Sequence, residues 1–110
     1  MKKGEIWIAS LDPKKGSEVG KQRPVVIAQT DLLNDVGHPT VLIFPVSSQI
    51  QEENSLRLKI NHSCFKNGFG FVLIDQIRAI DVKLRLKRKI GDLNESEVLN
   101  LNQLVRQVFD

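Results

Sequence analysis

The residues with chemistry to offer gather in a few places. From Asp12 to Pro24 the chain reads Asp12-Pro13-Lys14-Lys15-Gly16-Ser17-Glu18-Val19-Gly20-Lys21-Gln22-Arg23-Pro24. Its lysines and Arg23 would attract phosphate. Gly16 and Gly20 let backbone come close to a ligand. A solvated connection with no ligand is the competing reading of the same stretch. Two hydroxyls, Ser47 and Ser48, follow directly on an apolar run, and Asp75-Gln76 with Arg78 form a third polar group. The remaining reactive side chains are Cys64 and the histidines His38 and His62.

The elements between these groups must bring them together. Glu5-Ile6-Trp7-Ile8-Ala9 reads as a first strand, with Trp7 a core or interface residue. The loop Asp12–Arg23 follows, longer than a hairpin needs, and loops of that kind are often functional. Pro24 then opens the apolar run Val25-Val26-Ile27-Ala28, where a proline at the first strand position costs no ladder bond. A short turn of helix capped by Thr30 or Asp31 comes next. Thr40 to Val46 is a third strand, ending on the Ser47-Ser48 shoulder. Because neighbouring strand residues face opposite sides, one of these two serines should point into any site. Leu56 to Ile60 alternates apolar and polar, Asn61 to Gly68 is a loop, and Phe69 to Ile74 is another strand. Short strands over 77–80 and 86–90 flank a turn capped by Asp81. Asn94 and Glu97 form a capping-box pair ahead of a C-terminal helix whose Val98, Leu101, Leu104, Val105 and Val108 share one apolar face. Many short strands with interleaved short helices predict a small, strongly bent antiparallel sheet or partial barrel, α+β and mainly β.

Composition narrows the setting. The 110 residues suit one domain, 1–110, and 41% hydrophobic content is ordinary for a globular fold. One cysteine rules out an intramolecular disulfide framework and fits a reducing compartment. No apolar run reaches the roughly 20 residues of a membrane span, and no signal-peptide pattern follows Lys2-Lys3, so the expected location is cytoplasmic. The net charge of +3 permits a nucleic-acid partner without requiring one. No Cys/His/carboxylate spacing suggests a zinc site.

Three segments taken together are more specific than any one. They are Gly4-Glu5-Ile6-Trp7 through Leu11-Asp12-Pro13 and Gly16-Ser17-Glu18 to Arg23-Pro24-Val25-Val26; Pro45-Val46-Ser47; and Asp75-Gln76-Ile77-Arg78-Ala79-Ile80-Asp81. In this order and spacing the chain resembles the MazF/PemK/Kid family of toxin endoribonucleases, from Gly4 to the C-terminal helix. The resemblance implies an SH3-like small barrel with appended helices, a homodimer, and cleavage of single-stranded RNA, often mRNA, without cofactor or metal. It also implies a cognate antitoxin that masks the site.

On that resemblance Arg23, Ser47 and Glu18 are the catalytic candidates, and Ser17, Lys21, Ser48, Asp75, Gln76 and Arg78 the substrate-binding ones. A guanidinium is a rigid fork of donors that stays charged at neutral pH, so the role implied for Arg23 is stabilising charge on the phosphate. Ser47 stands where the family carries threonine or serine. Its hydroxyl could donate to the phosphate or orient the 2′-hydroxyl, or simply satisfy a turn. Glu18 could orient Arg23 or accept a proton, or be an exposed loop carboxylate. Ser17 replaces a histidine found in one branch of the family. In one branch the aspartate corresponding to Asp75 works with an arginine two residues earlier. Here that residue is Leu73, so Asp75 and Gln76 are assigned to base contacts or loop support. A catalytic histidine pair is disfavoured because His38 and His62 lie off the matched motifs and read as exposed loop imidazoles. Lys83, Arg85, Lys87, Arg88 and Lys89 could bind RNA backbone or guard an edge strand. Aromatic stacking usually holds single strands, yet the chain has no tyrosine, so sequence preference falls to polar loop groups. Two other functions on this fold stay open: a gyrase-binding toxin like the CcdB group, and a regulator that only binds nucleic acid.

Overall fold

The computed structural model describes residues 1–11, 21–49 and 56–109. Among the described residues seven strands, β1 (Glu5–Ser10), β2 (Gln22–Ile27), β3 (Thr40–Ser47), β4 (Arg57–Asn61), β5 (Phe69–Leu73), β6 (Arg78–Asp81) and β7 (Leu86–Asp92), form one antiparallel sheet. The helices are α1 (Asp31–Asp35), α2 (Val82–Arg85) and α3 (Glu95–Phe109), and a 3₁₀ turn covers Ile74–Gln76. The order is β4-β5-β3-β2-β1-β7, with β6 on the free half of β3. This is the mainly-β fold with short helices and a C-terminal helix expected from the sequence. Its ladder is bent but open, because β4 and β7 stand at opposite ends of the strand order. Register shifts between Ile6 and Trp7 and between Ile8 and Ala9 interrupt the β1–β7 ladder and sharpen its bend.

Burial explains the continuous apolar runs. Val25 and Ile27 of β2 join Ala9, Val41 and Ile43 in one cluster, while Val26 joins Phe44, Val46 and Val72 in the other. Both faces are covered over Val25–Ile27 of β2 and Ile43–Val46 of β3, so these stretches need no polar alternation. Helix α3 closes the second cluster. Leu101 is buried in it, and Val98, Leu104, Val105 and Val108 pack against it, the face read from their spacing. Its capping box is complete: the Glu97 N–H donates to Asn94 Oδ1 (2.8 Å) and the Asn94 N–H to Glu97 Oε1 (2.9 Å). Thr30 and Asp81 cap α1 and α2 through their side chains.

The β2 boundary differs from the expected one. The strand starts at Gln22, so Pro24 is its third residue. Pro24 pairs with Ile8 on β1, whereas the ladder with β3 begins only at Val25, opposite Pro45. The missing proline N–H therefore falls where β3 has already parted from β2. Strand β3 changes partners along its length: Thr40–Ile43 pair with β6, and Val46 and Ser47 pair with β5.

Candidate active site

The β2–β3 parting is where the reactive residues meet. The last paired residues are Val25 and Pro45; two more steps in that register would set Arg23 opposite Ser47. The strands splay instead and leave a cavity of about 240 Å³. Arg23, Pro24 and Gln22 line it from β2, Ser47 and Ser48 from β3, and Lys66 and Phe69 from the β4–β5 hairpin. Arg23 is half-buried, held by β1 through the Ala9 pairing. Ser47 is buried at the end of β3, opposite Phe71, and its Oγ accepts the Gln49 N–H at 3.2 Å. Ser48 is exposed and also lines the cavity, because it lies past the last strand residue and escapes the alternation that would have turned it away.

Gly70 makes this packing possible. A Cβ there would stand 2.6 Å from Val46 Cγ1 and 3.5 Å from the Phe65 ring. A bare α-carbon lets β5 lie against β3 immediately before Ser47. Cys64 lines the cavity too, and burial pushes its thiol above the ordinary value, which disfavours a nucleophilic thiolate.

The other site candidates lie elsewhere. Lys21 is exposed, in a left-handed backbone conformation (φ 63°), with its carbonyl accepting the Leu11 N–H at 2.8 Å. Asp75 and Gln76 belong to the 3₁₀ turn after β5, and Arg78 to β6 opposite Ile43; none lines the Arg23–Ser47 cavity. Asp75 does have an arginine. Arg57 pairs with its carboxylate, and β4 places Arg57 directly across from Leu73. A cross-strand neighbour thus supplies the guanidinium that the chain lacks at position 73. Glu18 and Ser17 lie outside the described residues.

His62 is not the exposed imidazole expected. It is half-buried, with Nε2 2.9 and 3.0 Å from the two Glu97 carboxylate oxygens. The pair ties the loop bearing Cys64 and Lys66 to the start of α3. His38 is exposed, with Nδ1 3.0 Å from the Thr40 carbonyl oxygen. In the basic run, Lys87, Arg88 and Lys89 are exposed on β7, an end strand of the sheet, and Lys89 bridges Glu5 and Asp92. Among the described residues no group of three or more His, Cys, Asp or Glu is placed to hold a metal ion, and no helix is long and apolar enough to cross a membrane.

Arg23 and Ser47 thus line one cleft of an open, antiparallel β-sheet. Residues 2–109 match the family described as PemK-like, MazF-like toxin of type II toxin-antitoxin system, and the chain belongs to that family. It is 34% identical over 107 residues to Endoribonuclease MazF of Staphylococcus saprophyticus, covering 96% of this chain and 88% of that one. With Endoribonuclease EndoA of Bacillus subtilis it shares 36% over 98 residues, covering 86% and 82%. A mycobacterial endoribonuclease in complex with its cognate antitoxin has the same fold, with a TM-score of 0.80 at 13% identity over 99% of this chain and 94% of that one.

Proposed function

We propose that this chain is the toxin of a type II toxin-antitoxin pair, an endoribonuclease that cuts single-stranded RNA, mRNA included, at a short sequence and without a metal. One observation carries the reading: Arg23 and Ser47, from separate strands, line one cavity. The endoribonuclease names of the relatives support it.

The chemistry uses the RNA's own 2′-hydroxyl. Its oxygen attacks the adjacent phosphorus and the 5′-oxygen leaves, giving a 2′,3′-cyclic phosphate and a 5′-hydroxyl end. One proton leaves the 2′-oxygen and one reaches the departing 5′-oxygen. The Arg23 guanidinium offers paired donors to the non-bridging oxygens as negative charge grows there. Ser47 accepts from Gln49 and keeps its own O–H to donate to the phosphate or to orient the 2′-hydroxyl. Glu18 orients Arg23 or takes the proton. Ser17, Lys21 and Ser48 contact the substrate backbone, and Asp75, Gln76 and Arg78 contact bases farther along the strand. The protein works in the cytoplasm as a homodimer. Its antitoxin lays a short acidic segment over Lys21 and Arg23, competing with RNA for the same cations.

The test is incubation with single-stranded RNA in EDTA, followed by end analysis. Cyclic-phosphate and 5′-hydroxyl ends are expected. Arg23→Ala should lower kcat/KM by about 10²–10³-fold, the scale of losing a transition-state donor. Arg23→Lys should recover only part, because it keeps the charge and loses the fork. Metal-dependent cutting to 5′-phosphate ends, or full activity in Arg23→Ala, would overturn the reading. Intact RNA with gyrase inhibition would replace it with the CcdB-like one.

A further inference from the structure

We propose that Phe69 is a stacking platform for one base of the RNA strand whose phosphate lies between Arg23 and Ser47. The chain has one tryptophan and five phenylalanines to offer. Phe44, Phe65 and Phe71 are buried, Phe109 is exposed on the last turn of α3, and Trp7 is tied on β1 by its Nε1 donating to Glu5 Oε1 (3.0 Å). Phe69 alone is a half-buried aromatic lining the cavity that holds Arg23 and Ser47.

Its position is not explained by core filling. The β4–β5 register pairs Ile60 with Gly70 on the core side, and Asn61 with Phe69 and Lys59 with Phe71 on the other. Phe69 therefore shares its face with two exposed polar residues. The ring is nevertheless held. The Phe71 ring stands perpendicular to it, with centroids 5.9 Å apart and planes at 85°, and Lys59 Nζ lies over one face, 5.0 Å from the centroid. A fixed aromatic lining the Arg23–Ser47 cleft, with a cation over one of its two faces, is a combination that can grip a single strand through base and backbone together. Every base has a π-face, so the platform supplies grip and leaves the choice of base to polar neighbours. Lys66, exposed on the same cavity wall, can donate to acceptors on a base edge but cannot accept.

The inference rests on the RNA-cutting reading for the identity of the ligand, so its test is binding without cleavage. The probe is a 2′-fluoro oligonucleotide, which lacks the attacking hydroxyl, with a single abasic position walked along it. Wild type should show a position where removing the base weakens binding about 10-fold, within the range of one stacked base. Phe69→Leu should lose about the same factor on the intact strand and nothing further at that abasic position, while Phe69→Trp should bind like wild type. Equal binding by Phe69→Leu and wild type, or the same Phe69→Leu loss whether or not each base is present, overturns the platform and leaves the proposed cleavage standing. Coupling at one position in a protein that never cuts RNA would sustain the platform and sink the nuclease.

Discussion

Ser47→Ala separates the two jobs open to one hydroxyl. In the fold, Ser47 Oγ accepts a single hydrogen bond, from the Gln49 N–H at 3.2 Å. Gln49 is exposed, so water can replace that acceptor. The structural loss is thus one neutral hydrogen bond, about 0.5–1.5 kcal/mol. At about 4–8 °C per kcal/mol for a domain of this size, melting should fall by less than about 12 °C. Against a typical stability of about 5–15 kcal/mol, the variant stays folded at assay temperature. If the same hydroxyl also serves the phosphate, kcat/KM should fall by about 10²–10³-fold, or about 2.7–4 kcal/mol of barrier. That exceeds what lost stability can explain. The assay pairs thermal melts with initial rates on a single-stranded oligonucleotide for Ser47→Ala, Ser47→Thr and Ser48→Ala. Ser47→Thr should restore most of the rate, and Ser48→Ala should cost a few-fold at most. A Ser47→Ala enzyme within threefold of wild type beside a crippled Ser48→Ala would move the catalytic hydroxyl by one residue; two near-normal variants would remove it altogether.

Two further outcomes follow from packing and charge. Gly70→Ala forces a methyl to within 2.6 Å of Val46 Cγ1, an overpacking that should cost about 1–3 kcal/mol in urea melts. Adding Val46→Ala should bring back part of that loss, and a double variant showing the simple sum would contradict the contact. Burial would raise the Glu5 carboxyl, but hydrogen bonds from Trp7 Nε1 and the Lys2 N–H and the Lys89 ammonium outweigh it and hold the group below its ordinary value. A depressed folded-state value stabilises the fold above the unfolded value and stops doing so as pH falls through the folded one. Glu5→Gln should therefore melt below wild type at pH 7, with the gap closing in the acid range; a gap that is constant with pH would show that the charge is not what matters.

Local signals were the legible ones. The α3 face and the Asn94–Glu97 box depend on residues three or four apart, so spacing alone revealed them. Arg23 and Ser47 could be named only through motifs. Their meeting depends on where the β2–β3 ladder stops, which is a matter of strand register rather than of local pattern. The start of β2 was hidden because Gln22 and Arg23 look like loop, and their strand geometry comes from β1. The Arg57–Asp75 and His62–Glu97 pairs join residues 18 and 35 positions apart, and no periodicity reports such contacts. The sequence places Phe69 at the start of a strand but not on either face; the β4–β5 register is what sets it opposite Asn61.

The early end of the β2–β3 ladder has a mechanical consequence. Beyond Val25 and Pro45 the two strands share no rung, so Arg23, laddered to β1, and Ser47, laddered to β5, can shift relative to one another without breaking a β2–β3 pair. On the proposed reaction, a phosphodiester entering between them would cut no β2–β3 rung. A variant stiffened throughout both apolar clusters should therefore keep the working speed of its parent.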